Sequence, residues 1–336
     1  MKRLWLDRDR VAHQSWVSLL EKVGLAHDEE IDYTIGIYQN DQLIATGSLY
    51  INILKCLAID PEFQQENLLT KLVDCLKGKV VEGETHYFVY TKPEMIPQFK
   101  GLGFNEIVRT SELVFMEQGG PDFQDYMREL ASYKQPTKKN GAIVMNANPF
   151  TNGHLYLVTE AAKENETVYV FVVSEDRSLF KTATRMALVK EGVKYLSNVV
   201  VLPTRDYSVS SATFPSYFLK NRTPRAIARS QALMDAHLFK ERIASFLVIG
   251  NRYVGEEPFS PVTAIYNEAM AEVFSTDIQL KILPRQRFGE EIISASLVRR
   301  LMKVGDLAYI KQIVPVTTYQ EIVKQQKKNE VSYFGN

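Results

Sequence analysis

Apolar positions recur at helical spacing across residues 8–23, where Val11, Trp16, Leu19, Leu20 and Val23 share a face and Gly24 supplies a stop. The period then shortens. Residues 33–38 and 43–50 read as strands joined by the polar turn 39–42, and residues 53–59 as a third strand. Helical spacing returns over 67–80, 85–90 is rich in strand formers, 93–100 is a short helix and 113–116 a closing strand. That order predicts an α+β domain over residues 1–118. Gly119-Gly120-Pro121 breaks the last strand, a helical stretch covers 122–133, and the polar, proline-containing stretch up to Gly141 completes a linker over 119–140.

Beyond the linker the two periods alternate. Strands are expected over 142–146, 167–173, 199–202, 246–249 and 278–282, and helices over 154–163, 184–196 and 296–303, the last ended by Gly305. Alternation of this kind predicts a Rossmann-like parallel sheet over residues 141–336. The fold class is therefore α/β, with a smaller α+β domain in front. In such sheets ligands bind outside the carboxyl ends of the strands.

Composition narrows the function. The 336 residues carry 40 Lys plus Arg against 40 Asp plus Glu, so no global field draws in nucleic acid or an anionic membrane. Any nucleotide site must rest on local geometry and a few cations. Two cysteines, Cys56 and Cys75, form no disulfide framework, and none of the five histidines stands at metal-ligand spacing. No stretch is apolar enough to span a bilayer and the start lacks a signal-peptide run, so a cytoplasmic location is expected.

The chemistry concentrates in two turns. Residues 142–154, Ala-Ile-Val-Met-Asn-Ala-Asn-Pro-Phe-Thr-Asn-Gly-His, carry a buried strand into a tight turn that opens a helix. Gly153 lets backbone approach a ligand, the helix start offers free N–H groups and a positive dipole end, and His154 stands in the first helical turn. The second turn is Ile292-Ile293-Ser294-Ala295-Ser296-Leu297-Val298-Arg299. Ser294 or Ser296 can cap the helix, and Arg299, one turn in, can fold back onto a phosphate at its start. Weaker candidates follow other strands: Ser178, Phe180, Lys181 and Arg185 after the second strand of this domain, and Gly250 with Arg252 after a later one.

Together the two turns resemble the nucleotidyltransferase superfamily marked by a His-x-Gly-His turn and an Ile-Ser-x-Ser/Thr-x-x-Arg turn. The resemblance implies ATP binding by Asn148, Pro149, Phe150, Gly153, Ser294 and Ser296, with Gly250 and Arg252 bordering the adenine, a substrate loop of Ser178, Lys181 and Arg185, and His154, Thr151 and Arg299 as catalytic groups. Thr151 stands where the first histidine of that superfamily usually stands. The first domain resembles the GNAT acyltransferase fold through residues 57–69 and 99–104, although the phosphate-cradling loop, with Glu66, Asn67 and Leu69, lacks its glycines. Side chains there hinder close approach of backbone amides to a phosphate. The pairing of the two domains, with the strings at 146–154, 211–218, 254–259 and 293–296, resembles the citrate lyase ligase family, whose form of the first turn carries the threonine.

That resemblance implies an acid–thiol ligase using ATP and Mg²⁺. It would acetylate the dephospho-CoA-type thiol prosthetic group of the citrate lyase acyl carrier subunit through acetyl-adenylate, with acetate as co-substrate. Three other readings remain. An adenylyltransferase of phosphopantetheine or nicotinamide mononucleotide needs the two turns but not the first domain. An acetyl-CoA-dependent acetyltransferase needs the glycine-rich loop that is missing. A nucleotide-sensing regulator would bind ATP and release no pyrophosphate.

Overall fold

The computed structural model describes residues 1–63, 67–79, 85–174, 178–208, 214, 216–219, 223–256 and 261–333. Of the sequence expectations above, Glu66 and parts of the 211–218 and 254–259 strings lie outside these residues. The chain divides into two compact units, 1–128 with 209–238, and 129–208 with 239–336.

The first unit opens with β1 (Lys2–Leu4), α1 (Arg10–Lys22), β2 (Tyr33–Gln39), β3 (Gln42–Tyr50) and β4 (Ile53–Ile59). It continues through α2 (Leu68–Lys77), β5 (His86–Thr91), α3 (Ile96–Gly101), β6 (Asn105–Arg109), β7 (Val114–Gly119) and α4 (Phe123–Tyr133), the chain passing out of the unit within α4. The Asp9 side chain caps α1 by accepting from the Val11 and Ala12 amides at 3.0 and 2.9 Å. The expected hairpin turn is there: Asn40 and Asp41 both take positive φ, 47° and 61°, between paired Gln39 and Gln42. Two such residues are what a two-residue hairpin turn matched to strand twist requires. The sheet runs β1-β2-β3-β4-β5-β7-β6, and its one parallel contact, β4 with β5, covers only Ile53–Phe88 and Leu54–Val89. Strands β1 and β6 escaped the sequence pattern because one is three residues long and the other is an edge strand with only Ile107 and Val108 buried.

The second unit contains β8 (Asn140–Met145), α5 (Asn152–Glu164), β9 (Thr167–Val172), α6 (Thr182–Val193) and β10 (Val199–Pro203). After α7 (Pro224–Leu238), which belongs to the first unit, come α8 (Ser245–Leu247), β11 (Ile249–Gly255), α9 (Pro261–Phe274) and β12 (Gln279–Leu283). A small hairpin, β13 (Arg287–Phe288) with β14 (Glu291–Ile292), leads into α10 (Ala295–Val304), α11 (Leu307–Ile313) and α12 (Val316–Tyr333). The five-stranded sheet is wholly parallel in the order β10-β9-β8-β11-β12. Ile143, Val168, Val170 and Val172 on its strands pack with Val158, Val189, Val298 and Ile310 from the helices. These continuous apolar strands are what burial on both faces selects. The strand order reverses between β8 and β11, so the crevice at their carboxyl ends is the switch point of the fold.

Two expectations need correction. The apolar run at 246–249 is not a strand followed by a loop. Its first residues end a helix, Val248 turns the chain in the left-handed region (φ 55°), and the strand is Ile249–Gly255. Residues 209–238, expected within the second domain, pack in the first unit. There Tyr217 is buried with Leu43, Cys56 and Ala58, and its carbonyl accepts from the Ala26 amide at 2.9 Å.

Candidate functional site

The site is built where β8 ends. Asn146 leaves the sheet, Ala147 takes the left-handed region (φ 50°), and a cis Asn148–Pro149 bond precedes Phe150 and Thr151. A buried alanine at that φ costs about 1–2 kcal/mol, which the surrounding contacts must offset. Those contacts are specific. Arg185 is wholly buried beneath the turn. Its Nη1 donates to the Asn146 carbonyl (2.8 Å), Asn146 Oδ1 (3.0 Å) and the Val173 carbonyl (2.6 Å), and its Nε to the Phe180 carbonyl (2.9 Å). Asn148 Oδ1 accepts from the Phe180 amide at 3.1 Å. Pro149 and Phe150 are buried as the floor of the turn, and the Phe150 ring lies parallel to that of His154 with centroids 5.9 Å apart.

Thr151 is the N-cap of α5, and His154 is its reciprocal partner. The Thr151 hydroxyl accepts from the His154 amide (3.4 Å), while the Thr151 amide donates to His154 Nδ1 (3.1 Å). This is the geometry of a capping box with an imidazole in place of the usual carboxylate or carboxamide. It has a chemical consequence. With Nδ1 occupied as an acceptor, the neutral ring carries its proton on Nε2. Burial, with the charge of Arg285 second, holds the imidazole pKa down to about 4. Near neutral pH His154 is therefore an uncharged N–H donor fixed in direction by the cap. Thr151→Ala should cost about 1 kcal/mol of stability, because it removes the hydroxyl that accepts from the His154 amide and stands 2.9 Å from Nδ1, and should leave the ring held through Nδ1 by the residue 151 amide alone. Thr151→Ser should restore the cap, a comparison made by thermal melts and by the ring's NMR titration.

The second turn meets the first. A Cβ on Gly153 would stand 3.1 Å from the Ile293 carbonyl, so the start of α5 and the approach to α10 touch where a side chain would separate them. Ser294 caps α10 by accepting from the Leu297 amide at 3.1 Å. Arg299 donates from Nη1 to the Asn148 carbonyl (2.6 Å) and from Nη2 to Ser296 Oγ (3.0 Å). Its guanidinium thus ties the two turns together and stands beside two helix starts whose free N–H groups favour an anion.

Of the residues expected from sequence, Asn148, Pro149, Phe150, Thr151, Gly153, His154, Ser294, Ser296 and Arg299 assemble here. Ser178 reaches the edge of the turn, donating to Asn146 Oδ1 at 3.3 Å. Lys181 is the exposed N-cap position of α6. Three residues are placed otherwise. Arg185 is spent on backbone carbonyls and is no surface contact. Gly250 lies at the amino end of β11, beside the Ile249–Asn140 pairing at the start of β8, and so at the opposite end of the sheet from His154. Arg252 is buried in mid-strand with its guanidinium 4.6 Å from the Phe239 ring centroid. Sequence reading put the strand just before these two, when in fact they are inside it.

In the first unit, β4 and β5 part beyond Leu54 and Val89. Phe214 meets Tyr90 of β5 (centroids 6.2 Å), and Tyr217 packs with Cys56 and Ala58 of β4. The chain itself contacts both strands just beyond the point where they separate. Burial drives the Cys56 thiol and the Tyr217 phenol well above their ordinary ranges, so neither is a nucleophile.

The class the fold defines is a doubly wound parallel α/β protein, and a capped helix start, a directed imidazole and an arginine come together at its switch point, a combination that favours an anion. The comparisons narrow the class. Residues 140–322 match the model of the citrate lyase ligase C-terminal domain. The chain is 36% identical over 325 residues to the [citrate [pro-3S]-lyase] ligase of Klebsiella pneumoniae, covering 95% of this chain and 94% of that one. It is 35% identical over 307 residues to the enzyme of the same name from Escherichia coli K12, covering 89% and 87%. The chain belongs to the citrate lyase ligase family and is a ligase. Among solved structures, Thermotoga maritima TmcAL bound with alpha-thio ATP is similar at 15% identity and a TM-score of 0.37, covering 56% of each chain. A putative nicotinate-nucleotide adenylyltransferase from Vibrio parahaemolyticus is similar at 14% and 0.36, covering 56% of this chain and 93% of that one. Similarity at that level fixes neither ligand nor reaction.

Proposed function

We propose that this chain activates citrate lyase by acetylating the thiol of its acyl carrier subunit's prosthetic group, with ATP and acetate as co-substrates and acetyl-adenylate as the intermediate. The observation that carries the reading is the joined pair of turns: a neutral His154 N–H, the Arg299 guanidinium and two helix starts around one crevice, in a chain of this family. An acetate oxygen attacks the α-phosphorus, the bond from that phosphorus to the α,β-bridging oxygen breaks, and pyrophosphate leaves with its own bridge intact. The carrier thiolate, its proton lost to solvent, then attacks the acetyl carbon and AMP leaves. Acetate is already ionised at neutral pH, so the first step needs no general base. That fits a histidine held neutral as a donor and not poised as a base. The barrier is electrostatic, two anions meeting as charge grows on the phosphates, and preorganised donors are the remedy.

Mg²⁺ enters this reading with the nucleotide. Among the described residues no group of three or more His, Cys, Asp or Glu side chains is assembled to hold a metal ion. The ion would therefore be held mainly by phosphate oxygens and water, where it supplies charge neutralisation. The remaining features are compatible with an enzyme acting on a protein-borne thiol in solution; among the described residues no helix is long and apolar enough to cross a membrane. The deciding experiment is acetate-dependent exchange of labelled pyrophosphate into ATP, run with and without thiol-form lyase. Exchange that needs acetate supports acyl-adenylate chemistry. Exchange driven only by phosphopantetheine or nicotinamide mononucleotide would replace it with precursor adenylylation.

A further inference from the structure

We infer that Asn146 seats the acid substrate, holding the acetate carboxylate through its side-chain amide; the inference rests on the acyl-adenylate reading above. Asn146 follows Met145, the last residue of β8, and is exposed. The Val173 amide, just past β9, donates to the Met145 carbonyl at 3.0 Å, so Asn146 stands at the carboxyl edge of the sheet beside the end of β9. Its amide has one possible orientation. Oδ1 accepts from Arg185 Nη1 at 3.0 Å and from Ser178 Oγ at 3.3 Å. A guanidinium nitrogen donates and never accepts, so the atom facing Arg185 must be the oxygen. Two donors occupy that oxygen's two lone pairs. The amino group, Nδ2, keeps both its N–H bonds, and among the described residues it donates them to no protein group. The end of β8 therefore presents a solvent-facing donor whose direction is set from behind.

The rest of the turn decides which ligand meets this donor. Arg299 of α10 reaches the turn at the Asn148 carbonyl, whereas Asn146 is held from α6 and the end of β9. Displacement at phosphorus sets the attacking and leaving oxygens roughly in line, on opposite sides of the α-phosphorus. With pyrophosphate leaving toward Arg299 and the helix starts, the acid comes from the β9 side, where Asn146 stands. A carboxamide suits that place. A cation paired to the acid would hold back the charge that must attack, while a neutral N–H orients the carboxylate through one oxygen and leaves the other to form the bond to phosphorus. Arg185 contributes from behind: a charged donor on Oδ1 polarises the amide and strengthens its N–H groups. No proton moves in this contact; Nδ2 donates to the acetate oxygen that does not attack.

The test uses the full chain with Asn146→Ala, Asn146→Asp and the unaltered protein. Asn146→Asp keeps an oxygen on Arg185 and puts a second oxygen where the amino group stood, so it removes the donor without emptying the network; thermal melts check that it folds as the unaltered protein does. KM for acetate is measured in pyrophosphate exchange, and ATP affinity by calorimetry without acetate. The expected result is an acetate KM raised roughly 10- to 100-fold in Asn146→Ala, raised further in Asn146→Asp, and an ATP affinity unchanged in Asn146→Ala. An unchanged acetate KM in either variant, or equal losses for acetate and ATP in Asn146→Ala, overturns the inference alone. Unaltered protein whose exchange does not depend on acetate overturns the parent reading and this inference with it.

Discussion

His154→Ala lowers acetate-dependent pyrophosphate exchange by about 10²-fold or more, the range for losing one preorganised donor to developing negative charge. The effect should fall on kcat, because a neutral donor that strengthens only as charge builds contributes little to the ground state. Stability should change little through the ring itself, since the Thr151 hydroxyl still accepts from the amide of residue 154. The pH profile gives an independent check. A histidine of ordinary pKa acting through its charge would make the rate change between about pH 6 and 7. Here the ring is neutral above about 4, so the His154-dependent part of the rate should stay level across that interval. The same depression couples to folding. Between the folded value of about 4 and the unfolded value of about 6.5 the unfolded chain binds more protons. Stability therefore rises with pH through that window, by up to roughly 3 kcal/mol. An alanine variant that exchanges pyrophosphate at nearly the unaltered rate removes His154 from the mechanism.

The second large effect is on stability. Arg185→Met should destabilise the second unit by about 3–5 kcal/mol, the range for stripping one partner from a buried charged network. The reason is the count of acceptors left behind: the carbonyls of Asn146, Val173 and Phe180 all point at this one guanidinium. Lysine should not rescue it, because a single ammonium cannot reproduce a planar fork bonded in several directions. Because Arg185 ties Asn146, at the start of the 146–154 turn, to the Val173 and Phe180 carbonyls, nucleotide affinity should fall together with the melting temperature. A variant with an unaltered denaturation midpoint but lost substrate affinity would return Arg185 to the substrate-contact role that sequence spacing suggested.

The contrast between these two residues shows where sequence reading succeeds. His154 was legible because its local string, strand then tight turn then helix start, is a short-range construction; position alone puts an imidazole by the first turn's amides. The same holds for Ser294, which is itself the helix N-cap, and for Arg299, five residues further on. Thr151 was legible as a position but not as a role. Sequence presented it as a substitute for a phosphate-binding histidine, and the structure gives it the cap that orients His154. Arg185 looked equally suitable, following a strand and opening a helix. Only the fold shows that its side chain runs inward under the turn.

What the sequence determined by itself is the set of features written in local periodicity and turn chemistry. These are the hairpin at Asn40-Asp41, the alternation that makes a parallel sheet, the two capped turns, and through them the family. The physical reason is that caps, turns and amphipathic faces are satisfied within a few residues. The tertiary structure alone decided what depends on distant partners: the grouping of 209–238 with the first unit, the placing of Gly250 and Arg252 inside β11, and the burial of Arg185. Each of those is set by which surfaces leave water together, and burial of that kind has no period along the chain to read.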